Sequence, residues 1–187
     1  KIFYEQNYDV DTFLYDMQAV DTMLFALGEL LYESGRYDYV IPENRLIEAD
    51  KNAFYSNRML WSEVKEICET YDVDAVLSVD MYNARVTTTF EKLSWYSPDE
   101  DGFNNYSSAK MVIIYDVLFN IYDPVEEVLV AREFFKDTLV WEDVANTTSN
   151  LFRDFTPVKQ GLTEASVAVA VAFADKISTV WRREKRP

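Results

Sequence analysis

From Ala75 to Trp141 the sequence carries three long β-type segments with no helical pattern between them. Ala75-Val76-Leu77-Ser78-Val79 enters a strand that is apolar at its start. The same strand runs on through Tyr82 and Val86 into Thr87-Thr88-Thr89, a β-branched run suited to a pleated, half-exposed surface. Met111, Ile113, Tyr115, Val117, Phe119 and Ile121 alternate with a more mixed set, which is the period of two that puts one side of a strand in a core. Asp123-Pro124 turns the chain, and Val125 to Trp141 returns as a partner strand. Consecutive strands joined without crossover helices pair antiparallel, so the segment reads as a three-strand meander.

Helical periodicity flanks the meander on both sides. Val10, Phe13, Leu14, Met17, Val20, Leu24, Leu27 and Leu31 recur at spacings of three and four, which predicts a helix over 9–34 with one buried stripe. Gly35 suits the left-handed residue just past its end. Tyr37 to Ile41 predicts a short strand stopped by Pro42. A second helix is predicted from Met59 to Tyr71, with Trp61, Val64, Ile67, Cys68 and Tyr71 on one face. Beyond the meander, Asn146 to Phe155 forms a short helix broken by Thr156-Pro157. A final helix spans about Leu162 to Arg183, with Ala165, Val169, Ala172, Phe173, Ile177, Val180 and Trp181 as its stripe. The fold class is therefore α+β, a mixed sheet dominated by the antiparallel meander and packed against amphipathic helices. Neither an internal repeat nor a low-complexity linker divides residues 1–187, so a single domain is expected.

Charge and composition narrow the function. The net charge of −15 repels phosphate backbones and anionic lipid, which disfavours nucleic acid and membrane surfaces as partners. Residues 1–50 hold eleven acidic and three basic groups, whereas Arg182-Arg183-Glu184-Lys185-Arg186 is basic. The chain has no histidine, which removes Ser-His-Asp and Cys-His nucleophilic arrangements and the usual zinc ligands together. Cys68 is the one cysteine, on an apolar helix face where it acts as a small hydrophobe. Four dispersed glycines make no phosphate-cradling loop. No cofactor and no transition metal are expected. No run of about 18 apolar residues is present to span a bilayer.

Three features carry candidate chemistry. Asp80 and Asp116 each interrupt an apolar strand, as a carboxylate pair for glycan hydrolysis would; an ion pair with Arg85 or Arg132, or a solvent-facing position, explains them equally. Asp99-Glu100-Asp101-Gly102-Phe103-Asn104-Asn105 clusters oxygen ligands around a glycine turn, as calcium requires, yet lacks EF-hand spacing; Asx turns in a hairpin loop account for the same residues. Ser94 to Ser108 reads as one long loop that also holds Trp95, Tyr96, Phe103 and Tyr106. Such rings stack on sugars or anchor a protein partner, or else fold back to cap the core. Trp61, Trp141 and Trp181 fall on apolar stripes or element ends and are assigned to the core.

Residues Asn57 to Tyr82, through Trp61-Ser62-Glu63-Val64 and Asp74-Ala75-Val76-Leu77, resemble a family of Bacteroidales cell-envelope lipoproteins of unknown function. The end of the chain, Val180-Trp181-Arg182-Arg183 to Pro187, is similar to the same family, in which this segment leads into an aromatic pair and a helical, tetratricopeptide-like region. Members of that family begin with a lipidated cysteine and a strand before the first helix. Neither stands in this sequence, which opens at Lys1, so the chain is expected to be a trimmed piece of an exported parent or a divergent member. The order of elements is also similar, at the level of fold, to the amino-terminal domain of TolB and to CsgG-like envelope lipoproteins.

The resemblance implies a non-enzymatic envelope module, periplasmic or on the outer membrane, that binds a protein or glycan through a sheet edge or the 94–108 segment. A carboxylate-dependent hydrolase of glycan or cell wall is the alternative. Replacing Trp95 and Tyr96 by Ala separates recognition from capping at the 94–108 segment. Rings that cap the core predict a loss of roughly 3–5 kcal/mol in denaturant unfolding. Rings that bind predict unchanged stability with capture of a partner or glycan abolished.

Overall fold

The computed structural model describes residues 12–42, 58–97 and 102–178, and side chains at all of these except 12–16, 95–97, 102 and 103. The elements run α1 (Thr12–Glu33), α2 (Trp61–Tyr71), β1 (Val76–Ser97), β2 (Gly102–Asp123), β3 (Val128–Ala145), α3 (Thr148–Asp154) and α4 (Val158–Ile177). The three strands form an antiparallel sheet in the order β1-β2-β3, as the meander predicts. The α+β fold class therefore holds.

Alternation along the central strand divides the molecule. Ser107, Ala109, Met111, Ile113, Tyr115, Val117 and Phe119 of β2 are buried, and this face lies under α1, α3 and α4. Phe119 stacks on Phe173 of α4 with ring centroids 4.3 Å apart, and Phe135 of β3 meets both rings edge-on at 5.8 Å. Small residues on α4, including Ala165, Ala170 and Ala174, are buried in the same cluster as Ala19, Met23, Leu27 and Leu31 of α1. The Tyr82 hydroxyl lies 3.2 Å from Ser166 Oγ and ties β1 to the helix layer. At the hairpin end, α3 is fixed by Thr147, whose side chain accepts from the Asn150 backbone N–H, and by buried Leu151.

Several sequence expectations change in detail. The buried line of α1 passes through Ala19, Met23, Leu27 and Leu31, with Val20 and Leu24 at its border, so the stripe is rotated from the one that the larger residues suggested. Small Ala19 sits at the centre because α4 approaches closely. Ala172 of α4 is exposed, for the neighbouring positions Phe173 and Ala174 face the core. That helix begins at Val158, earlier than expected, because Pro157 starts it: a missing N–H costs nothing at a helix start. Trp181 and Val180 lie outside the described residues, whereas Trp61 and Trp141 are half-buried against the core as expected.

Tyr37 to Ile41 forms no strand of the sheet. It crosses the helix layer instead: Tyr39 rests on Gly28 of α1, where an added Cβ would come within 2.6 Å of the ring, and its hydroxyl donates to Glu29 at 2.5 Å. Gly35 ends α1 with φ +68°, the left-handed value expected of it.

The long loop at 94–108 is the main correction. β1 continues to Ser97 and β2 starts at Gly102, so most of that stretch is paired strand, with Trp95 opposite Asn104, Tyr96 opposite Phe103 and Leu93 opposite Tyr106. Asn, Ser and Gly have weak strand preference, but the ladder and the docking of α3 outweigh it. Ser107 Oγ lies 3.0 Å from Thr148 Oγ1, and Phe90 packs on Phe152 at 5.3 Å.

The stacked pair makes a direct test of this core. Phe173→Ala is expected to lower unfolding free energy by about 3–5 kcal/mol in denaturant titration, the usual cost of removing a buried ring. A change under about 1 kcal/mol would mean that α4 does not close the sheet as described.

Candidate functional site

The second face of the sheet is built differently at its two ends. At the turn end, α2 lays Val64 and Cys68 on Val76 and Tyr122, with Trp61, Ile67 and Leu129 around them. Trp61 meets the Tyr122 ring edge-on at 5.8 Å. The helix begins where Glu63 reaches back to accept from the Leu60 N–H at 2.9 Å, and ends at Asp72 in the left-handed conformation, φ 54°. Burial pushes the Cys68 thiol above its ordinary pKa, with the charges of Asp74 and Asp123 adding to it, so it is a poor nucleophile.

Beside this small core lies a buried polar cluster that sequence reasoning placed wrongly. The β1–β2 register shifts between Val79 and Met81, leaving Asp80 as the extra residue of a bulge. Asp80 does not face solvent; it is buried and accepts from Ser78 Oγ, from Asn120 Nδ2 and from the Tyr122 hydroxyl at 3.2 Å. Burial raises the Tyr122 pKa above the usual tyrosine value, and the Asp80 charge raises it further. Asn120 Oδ1 is buried without a hydrogen-bond partner. No sequence pattern announces a bulge here; Asp80 amid apolar neighbours was the only sign.

Asp116 fits its expected pairing better. Arg85 stands 3.9 Å from Oδ2, and Lys136 stands 3.3 Å from Oδ1, close enough for an ion pair but off the direction of a hydrogen bond. Asp80 and Asp116 are thus engaged by separate sets of partners.

Past α2 the second face lies open. Register places Met81, Leu118 and Phe134 in one row across the sheet. The next rows hold Asn83 with Asp116 and Lys136, then Arg85 with Ile114 and Thr138, then Thr87 with Val112 and Val140, then Thr89 with Lys110 and Glu142. Met81 and Leu118 are buried and Val112 and Ile114 half-buried, whereas on the edge strand β3 Phe134 is 55% exposed, Val140 51% and Val144 53%, which marks that side of the face as surface. Among the described residues, no three acidic or cysteine side chains converge to hold a metal. The calcium candidate at 99–105 lies partly outside them. Glu29, Tyr32, Asp38 and Tyr39 line a shallow depression on the helix-covered side, away from Asp80.

A family model described as a domain of unknown function, DUF8603, matches residues 1–187. The chain belongs to the DUF8603 family. No curated protein matches it. Of the aromatic candidates in this DUF8603 chain, Tyr106 is half-buried opposite Leu93, and the side chains of Trp95, Tyr96 and Phe103 lie outside the described residues. All four flank the tip of the β1–β2 hairpin rather than a free loop. No helix of the described DUF8603 chain is long and apolar enough to cross a membrane.

Titration tests the polar cluster. A tyrosine whose folded pKa is raised stabilises the fold fully below the ordinary value near 10 and loses that contribution as pH rises through the folded value. Ultraviolet difference absorbance during alkaline titration is expected to show a late phase after the exposed tyrosines, to which Tyr115, buried beside Asp137, also contributes, and which shrinks by one tyrosine in Tyr122→Phe. Identical titration curves for the two proteins would contradict the burial of Tyr122 against Asp80.

Proposed function

We propose that this domain is a non-enzymatic binding and scaffold module of the cell envelope, carried by an exported, lipid-anchored parent chain, and that it holds a protein partner on the open face of its sheet. The observation that supports this reading is the contrast between the two faces. One is closed by three helices, while the other exposes Phe134, Val140 and Val144 along the edge strand β3. Exposed apolar surface on a well-braced sheet favours association, because ordering costs are already met by the fold.

The envelope setting rests on the family resemblance of Asn57–Tyr82 and of the C-terminal segment. The aromatics Trp95, Tyr96, Phe103 and Tyr106 belong to the same proposal as a second contact, for protein or glycan, at the hairpin tip. The carboxylate-hydrolase alternative draws less support. Asp116 sits between Arg85 and Lys136, and Asp80 is buried under three donors, so neither is offered to a substrate.

Site-specific photo-crosslinking tests the reading. A photo-reactive phenylalanine analogue replaces Thr87 or Val140 on the open face, or Phe25 or Val171 on the helix layer, in the full chain expressed in its own envelope. Crosslinks from the first two positions and none from the last two are expected. Absence of any crosslink at Thr87 and Val140, or equal yield at all four, would sink the proposal.

A further inference from the structure

We infer that the hollow beside α1 lined by Glu29, Tyr32, Asp38 and Tyr39 binds a small organic ammonium ion with an alkylated head group. This site lies on the helix layer, apart from the open face of the sheet, and does not depend on what binds there. Its volume of about 250 Å³ is less than that of sites enclosing drug-sized molecules, so it admits a head group rather than an extended ligand.

The walls are set by the way the chain leaves α1. Gly35, in the left-handed conformation, turns the chain, and Tyr39 comes back onto the helix at Gly28. The missing side chain there leaves room for the ring. The Tyr39 hydroxyl donates to Glu29 at 2.5 Å, so ring and carboxylate hold each other in place. That hydrogen bond also raises the Tyr39 pKa above its ordinary value, which keeps the phenol neutral and donating. Tyr32, one turn past Gly28, meets Tyr39 with ring centroids 6.4 Å apart and planes at 75°. Two aromatic walls therefore stand nearly at right angles, with one carboxylate from α1 and a second, Asp38, from the returning segment.

The charge of the hollow is uncompensated. Among the described residues, neither Glu29 nor Asp38 makes an ion pair, and Arg36, between them in sequence, reaches neither. Lys176 of α4 is engaged by Glu133 and lies over the Phe135 ring. Two carboxylates on a chain of net charge −15 repel an anion. Hard metal ions require a fuller shell of oxygen ligands than two carboxylates supply, and among the described residues no third acidic or cysteine side chain joins such a pair. An alkylated ammonium ion is weakly hydrated and gives up little to lie against aromatic faces, whose π-clouds attract it, while the carboxylates match its charge.

Titration of the full chain with choline, followed by calorimetry, tests the inference. Saturable binding is expected, at least about tenfold tighter than for dimethylbutanol, the neutral carbon isostere of choline. Tyr32→Phe keeps the ring and is expected to retain affinity, whereas Tyr32→Leu and Glu29→Gln each lower it about tenfold. Tyr32 is 58% exposed, so its replacement is expected to leave thermal unfolding unchanged, which separates lost binding from lost folding. Gly28→Ala gives α1 a better helix former but displaces the Tyr39 ring, and is expected to weaken binding with helix content retained. Added salt should weaken binding in the unaltered protein. The inference is overturned if choline does not bind, if the isostere or a neutral sugar binds as tightly, or if Tyr32→Leu and Glu29→Gln leave affinity unchanged. None of these results bears on crosslinking from Thr87 and Val140, which tests the other side of the sheet.

Discussion

Everything in this fold depends on how β2 is buried. As the central strand it hydrogen-bonds on both sides, and its odd-numbered residues from Ser107 to Phe119 are closed over by helices. The Phe119–Phe173 stack fixes α4 on that face, and α4 in turn gives α1 the close, small-residue surface against which Met23 and Leu27 bury. One face takes the main core, and among the described residues α2 is the helix packed on the other.

The bulge at Asp80 makes the second arrangement possible. An extra residue in β1 brings Ser78, Asp80, Asn120 and Tyr122 together under the edge of the small core that α2 completes. Three donors on one carboxylate offset part of the cost of its burial. A surface that is held in shape by its other side is free to carry side chains chosen for recognition.

The meander and the helical stripes were legible because periods of two and of three to four residues survive in this sequence with few interruptions. Met111 to Ile121 announces its buried side through strict alternation, and Thr156-Pro157 marks a helix boundary by backbone chemistry alone. What escaped depends on contacts distant in sequence. Asn104, Asn105, Ser107 and Ser108 look like loop, and become strand through pairing with Trp95 to Glu91 and anchoring by α3. Tyr39 reads as a strand residue, and instead lies on Gly28 of α1. Asp80 reads as a surface or catalytic carboxylate, since neither its bulge nor its donors are local features. The open face was invisible for another reason: Phe134, Val140 and Val144 have the composition of core, and only their exposure in the folded chain shows them to be surface.

The central claim is that the two faces of one sheet do different work, one folding and one free. A single isosteric change placed on each face measures it most directly. Val117 is fully buried on the helix-covered face, and Val140 is 51% exposed on the other. Val117→Thr is expected to lower unfolding free energy by roughly 1–3 kcal/mol, because its hydroxyl is taken from water without a partner. Val140→Thr is expected to change it by no more than about 0.5 kcal/mol, as for other surface substitutions. Equal losses at the two positions would mean that the second face is also core, and would contradict the account.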